Sequence, residues 1–126
     1  MKIIDHKPID FIFRFLPPIL WAGLIFVLSA QPALPGPETF VLDFIIKKIG
    51  HITVYLILYL LLYRAFFTQK LSVLKISILI FMIGFVYAMS DEWHQSFVPG
   101  RTPTIKDLGF DSLGMLIAWL HLHRYI

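Results

Sequence analysis

Apolar residues run along this chain in long blocks, where a soluble domain would interleave them with polar positions. Four blocks stand out: Phe11 to Ser29, Gly50 to Phe67, Val73 to Ser90 and Ile105 to His123. Each approaches the roughly 20 residues that a helix, rising about 1.5 Å per residue, needs to cross about 30 Å of hydrocarbon. Lipid offers no partner to a backbone N–H or C=O, so each block must satisfy its own backbone and is read as a helix. The pattern predicts an all-α integral membrane protein: a single domain over residues 1–126, built as a four-helix bundle with spans at about 11–29, 50–67, 73–90 and 105–123.

The connections are short. Ala30 to Gly36 is punctuated by Pro32 and Pro35, with Pro37 just beyond, and predicts an extended loop. From Phe40 to Ile49 the apolar positions have helical spacing, with Asp43, Lys47 and Lys48 elsewhere, which predicts a short amphipathic helix leading into the second span. Thr68 to Ser72 is tight enough to make spans two and three antiparallel neighbours, and Pro99-Gly100 marks a turn before span four.

Composition agrees, with 58% of residues hydrophobic, and the lack of cysteine excludes disulfides and thiolate metal sites. The first block follows Lys2 and Lys7 as a signal peptide would. Leu28 stands where cleavage prefers a small residue, so the block is expected to stay as a span. Ends joined by an even number of crossings share a side. One side then carries Lys2, Lys7, Arg14, Arg64, Lys70, Lys75 and Arg124; the other has Lys47, Lys48, Arg101 and Lys106. Seven bases against four place both termini in the cytoplasm. The net charge of +3 is then accounted for by anionic headgroups, with no nucleic-acid partner.

Between the last two spans, Ser90 to Asp111 gathers four acids, a histidine, a glutamine and an arginine. Ionisable groups at the edge of a span are costly unless paired or used. Helical spacing sorts the polar residues into three stripes: Lys48, His51 and Tyr55; Tyr87, Asp91, His94 and Gln95; Asp107 and Asp111. All three share one membrane depth and are expected to converge on a pocket at the outer end, with Gln31 as a further member. Asp91 and Glu92, about 100° apart on a helix, are expected to send one of the two inward. Arg101 is expected to fork onto a carboxylate. Plainer readings stand beside these. Thr104 and Asp107 fit a capping box, and a lone His51 is more often a packed histidine than a catalyst. Trp93 reads as an interfacial belt residue and Phe97 as a packing residue. His121 and His123 fall on opposite faces of the helix, at headgroup level with Arg124.

Ser29-Ala30-Gln31-Pro32, Lys48-x-x-His51-x-x-x-Tyr55 and Ser90-Asp91-Glu92-x-His94-Gln95-x-Phe97-x-Pro99-Gly100-Arg101 follow one another in order, and Asp107-x-x-x-Asp111-x-x-Gly114 completes the series. This arrangement resembles the VanZ-like family over roughly Phe15 to Leu120, although many members carry Asn where this chain has Asp111. The resemblance implies a small multi-pass protein of the bacterial cytoplasmic membrane. It also implies a link to teicoplanin, a lipoglycopeptide antibiotic that acts on the outer face, since the family is named for a resistance factor.

Two mechanisms from different classes remain open. One is recognition without chemistry of an outer-leaflet lipid, a lipid-linked headgroup or a lipoglycopeptide, by Gln31, Lys48, His51, Tyr55, Asp91, Glu92, His94, Gln95, Arg101, Asp107 and Asp111. The other is an enzyme acting on such a headgroup. There His51 or His94 serves as acid/base, Asp91 or Glu92 as base, and Arg101 with Lys48 as a phosphate clamp. Asp91, Glu92, Asp107 and Asp111 would supply the all-oxygen ligand set that suits magnesium or calcium. No established metal or nucleophile motif is present. Transport is a weaker third reading, because four short spans would have to oligomerise to form a path.

Overall fold

The computed structural model describes residues 7–31, 40–67, 70–101 and 104–125. It is a bundle of four helices: α1 (Lys7–Ser29), α2 (Phe40–Phe66), α3 (Val73–Gln95) and α4 (Ile105–Leu122). There is no strand among the described residues. Residues 32–36 of the expected proline-rich extended loop lie outside them, as do Thr68 and Gln69. Three helices are long and apolar enough to cross a membrane, over Asp10–Ser29, Val41–Phe66 and Val73–Gln95. α4 differs: its 18 residues include Lys106, Asp107 and Asp111.

Three elements run further than their apolar blocks, α1 by starting at Lys7. α2 has 27 residues because the amphipathic stretch from Phe40 continues into the span without a break. Gly50, the one weak helix former between them, has open space around it. At about 1.5 Å per residue the helix is about 40 Å long, more than the hydrocarbon requires, so its first turns reach the interface. α3 continues through Asp91, Glu92 and Gln95 before Ser96 caps it. Val98 to Arg101 then form a type II turn: Arg101 N–H donates to the Val98 carbonyl at 3.2 Å, and Gly100 takes φ 76° after Pro99.

α1 is apolar on nearly every side, with Phe11, Phe13, Ile19 and Leu20 all more than 60% exposed to what would be lipid. Pro17 and Pro18 lie within it. Pro17 has no N–H, so the carbonyl four residues earlier, that of Phe13, loses its helical donor. Arg64 of α2 donates to that carbonyl at 3.3 Å, and Arg14 of α1 donates to the Phe67 carbonyl at 2.6 Å. Two guanidinium groups thus bind the end of the bundle opposite the polar stripes.

α2 and α4 make the most extensive helix contact. They run parallel, since Lys48 meets Asp107, His51 meets Asp111 and Tyr63 approaches His123. A Cβ on Gly114 would overlap the backbone carbonyl of Ile52, so hydrogen at this position lets the two backbones close. Tyr55, Leu58, Tyr59 and Leu62 of α2 fill the core at i, i+3, i+4 and i+7, against Ile76, Ile80 and Ala88 of α3 and Met115 and Ala118 of α4. α3 offers two adjacent stripes. Gly84, Ala88 and Glu92 form one, with Gly84 against Met115 of α4; Tyr87, Asp91 and Gln95 form the other, with Tyr87 and Gln95 bonded to α1. Asp91 and Glu92 are consequently both buried, where one was expected to turn away. α3 is wedged between helices on two sides, so a 100° turn still lands inside the bundle.

Gly114→Ala is expected to lower stability by about 1–3 kcal/mol through overpacking against the Ile52 carbonyl. Gly109→Ala on the same helix, with nothing near its Cβ, should be neutral or gain up to about 1 kcal/mol. Thermal unfolding in detergent compares the two; a Gly114→Ala protein as stable as the parent would disprove the close contact.

Candidate functional site

At one end of the bundle the C-termini of α1 and α3 meet the N-terminal part of α2 and the start of α4. They enclose a cavity of about 520 Å³. Its walls are unlike one another. Ile25, Leu28 and Val54 are apolar, while Lys48, His51, Tyr55, Asp91, Gln95, Arg101 and Asp107 bring polar groups from all three stripes. Below it, Asp111 is fully buried and Glu92 is 9% exposed.

Two ion pairs join α2 to α4. Lys48 Nζ is hydrogen-bonded to Asp107 Oδ1, and its ammonium lies 5.2 and 5.3 Å from the Phe44 and Phe110 ring centres, within reach of both π faces. His51 Nδ1 is 2.6 Å from Asp111 Oδ1. The expected capping box is not formed: Thr104 makes no side-chain cap bond, and the Asp107 carboxylate turns to Lys48. Charge pairing between helices outweighs a local cap here, because unpaired carboxylate and ammonium groups at this depth would each be costly.

Arg101 departs from expectation. It makes no ion pair among the described residues; its Nε donates to the Gln31 carbonyl at 2.9 Å and its Nη2 to the Leu28 carbonyl at 3.3 Å. These carbonyls lie at the end of α1, and a guanidinium placed there by the type II turn donates to both, joining the Gln31 N–H that reaches the Leu28 carbonyl at 3.3 Å. With Lys48 held by Asp107 and Arg101 by α1, the phosphate clamp expected of this pair is occupied from within.

Two further candidates are placed differently from the pocket expected. The Gln31 side chain is exposed and folds back to the Val27 carbonyl at 3.1 Å. His94 stacks on Phe26 of α1, with ring centres 4.4 Å apart, and does not line the cavity. Phe97, expected as a packing residue, is 70% exposed and meets exposed Trp93 edge-on, so it packs outside the bundle as part of the aromatic belt. The four carboxylates do not form one ligand set either. Asp107 is committed to Lys48 and Asp91 lies on the stripe facing α1, whereas His51, Glu92 and Asp111 each offer a ligand atom within 4.8 Å of the others.

The sequence reading did not single out Ser29, Asp43, Lys47 or Lys106, which also line the cavity. Ser29 is buried and accepts from Gln95 Nε2 at 3.3 Å, and it stood within the Ser-Ala-Gln-Pro motif. Asp43 and Lys47 form an i, i+4 pair at 2.8 Å, a spacing visible in the sequence. Nothing local marked Lys106.

Removing one member of a buried pair strands the other, whereas removing both need not. His51→Ala should therefore cost about 3–5 kcal/mol by leaving Asp111 uncompensated, and His51→Ala with Asp111→Ala should recover part of that loss. Unfolding of the two single variants and the double variant in detergent measures it. A double variant as unstable as the sum of its parts would mean the two residues are not coupled.

A family model described as VanZ/LLP1 matches residues 7–125. No curated protein and no solved structure matches the chain. The match takes in all four helices and every side chain of the cavity, and the chain belongs to the VanZ/LLP1 family, the VanZ-like family of its sequence motifs.

Proposed function

We propose that this protein recognises the polar headgroup of an amphiphile at the extracytoplasmic leaflet of the bacterial cytoplasmic membrane. The observation that carries the reading is the cavity's two-sided lining. Ile25, Leu28 and Val54 suit an acyl or other apolar part, and the opposite wall suits a headgroup. The polar wall is rich in acceptors: Asp91 Oδ1 and the buried Tyr55 hydroxyl have no partner among the described residues, while Lys48 and Arg101 are held internally. The favoured headgroup therefore presents donors, hydroxyl or ammonium groups, such as a glycosylated lipid, a lipid-linked sugar or a lipoglycopeptide of the teicoplanin type.

A second reading has one specific observation in its favour. Asp111 holds His51 by Nδ1, which orients the ring as a carboxylate orients a general base, and His51 lines the cavity. An enzyme acting on the same headgroup would use that pair.

Amphiphiles extracted from the purified protein and from the bulk membrane, compared by mass spectrometry, test the reading. We expect a species with a donor-bearing headgroup to be enriched at least several-fold in the parent, and the enrichment to be lost in Asp91→Leu. The same lipid profile in protein and bulk membrane, or enrichment of phosphatidic acid alone, would overturn it. Conversion of the enriched species by the parent but not by His51→Ala would favour the enzyme.

Both termini are proposed to lie in the cytoplasm, with α4 crossing as the fourth span, on the seven-to-four distribution of bases. The chain lacks cysteine, so single cysteines at Lys70, Lys106 and Tyr125 report their side without background. In intact cells an impermeant thiol reagent should label position 106 and spare 70 and 125. Labelling at 70 but not 106 would invert the topology, and labelling at both 106 and 125 would mean that α4 does not cross.

A further inference from the structure

We propose that His51, Glu92 and Asp111 bind one divalent transition-metal ion, of the zinc or manganese class, at the floor of the cavity. The three side chains come from α2, α3 and α4, so docking of the helices assembles the site without any loop. Each offers one ligand atom, and those atoms lie within 4.8 Å of one another. Ligands about 2.1 Å from a tetrahedral ion stand about 3.4 Å apart, which modest side-chain rotation reaches from here.

The unpaired atoms point the same way. Both Glu92 oxygens and Asp111 Oδ2 are buried with no hydrogen-bond partner among the described residues, as is the hydroxyl of Tyr55, a residue 1% exposed. His51 can bring at most one positive charge to two carboxylates. Lys48 is engaged by Asp107 and Arg101 by the end of α1, so neither supplies the second. A divalent cation balances the pair of carboxylates, and buried carboxylates without such a partner are among the costlier features a membrane helix carries. The donor set selects the ion: magnesium and calcium favour all-oxygen shells of six or more, whereas one imidazole with two carboxylates suits zinc or manganese. Three protein ligands leave a coordination position for water or a ligand group, and His51, the member that lines the cavity, sets that position toward it.

This site stands apart from the headgroup reading, because it is tested with the metal alone. Tag-free protein in detergent is stripped with chelator and titrated with Zn²⁺ and Mn²⁺ by calorimetry, and metal content is measured after desalting. We expect one equivalent of at least one ion per chain, with micromolar or tighter affinity and a rise in melting temperature. Glu92→Gln should weaken binding at least tenfold. It is the decisive variant because Glu92 makes no hydrogen bond or ion pair among the described residues, so its replacement should fold even if Asp111→Asn does not. His121→Ala with His123→Ala, at the other end of α4, should leave the equivalent intact. Absence of binding by both ions below millimolar, a loss of less than tenfold in Glu92→Gln, or a loss confined to the His121/His123 variant would each overturn the proposal.

Discussion

A carboxylate at the heart of an apolar helix bundle must be matched by positive charge, and this requirement explains why α4 lies where it does. With Lys106, Asp107 and Asp111 in its first two turns, α4 is the helix least suited to lipid. α2 supplies what it lacks: Lys48 for Asp107 and His51 for Asp111, two contacts bridging 59 and 60 residues of sequence. Pairing alone would not bring the backbones together. Gly114 against the Ile52 carbonyl does that, and Met115 and Ala118 then bury beside Tyr55, Leu58 and Tyr59. The close contact and the ion pairs support each other. Without the first the pairs would be wet and weak, and without the second a buried Asp111 would oppose docking.

The same requirement shapes the cavity. α4 is drawn against α2 and α3 and its backbone does not come close to that of α1 among the described residues, so the bundle is closed around Met115 and more open where α1 ends. Trp21 of α1 donates to the Val54 carbonyl at 2.8 Å and Tyr87 of α3 to the Ala22 carbonyl, which fixes α1 about two turns below its end. Beyond these contacts the walls are Ile25, Leu28 and Ser29 on one side and the ion-paired residues on the other. The apolar and polar faces therefore follow from helix placement and need no dedicated loop.

Much of the architecture was legible because lipid makes secondary structure a matter of local bookkeeping. Apolar blocks near span length must be helices, and the polar stripes at Lys48, Asp91 and Asp107 had to lie near one depth. What was not legible depends on how helices face each other. Periodicity says that Asp91 and Glu92 diverge, but only the wedging of α3 between α1 and α4 puts both inside. The spacing of Thr104 and Asp107 describes a capping box equally well, and the choice went to Lys48, more than fifty residues away in sequence. His94 shares a stripe with Asp91 yet meets Phe26, because the α1 surface at that level is aromatic. In each case a local pattern had two outcomes, and a partner distant in sequence decided between them.

Arginine was the residue whose role the sequence concealed most, and its actual role bears on the site. Arg14, Arg64 and Arg101 all donate to backbone carbonyls: two close the end opposite the cavity, and one caps α1 beside it. A fork fits a carboxylate in isolation, but near a membrane surface an unsatisfied helix-end carbonyl is also expensive, and Pro17 adds one inside α1. Spending Arg101 on α1 leaves the acids around it without the fork a guanidinium would give them. Lys47 is taken by Asp43, Lys48 by Asp107 and His51 by Asp111, which leaves Asp91 and Glu92 without an ion-pair partner among the described residues. The buried floor of the site, where Asp91, Glu92 and Asp111 have only the His51 ring as an ion-pair partner, is therefore locally acidic, although Lys47, Lys48, Arg101 and Lys106 line the cavity and the chain as a whole carries +3. A site of that sign suits donors and cations. A bare phosphate at that floor would meet repulsion from the carboxylates, and of the basic groups around the cavity Lys48 and Arg101 are already holding the helices in place.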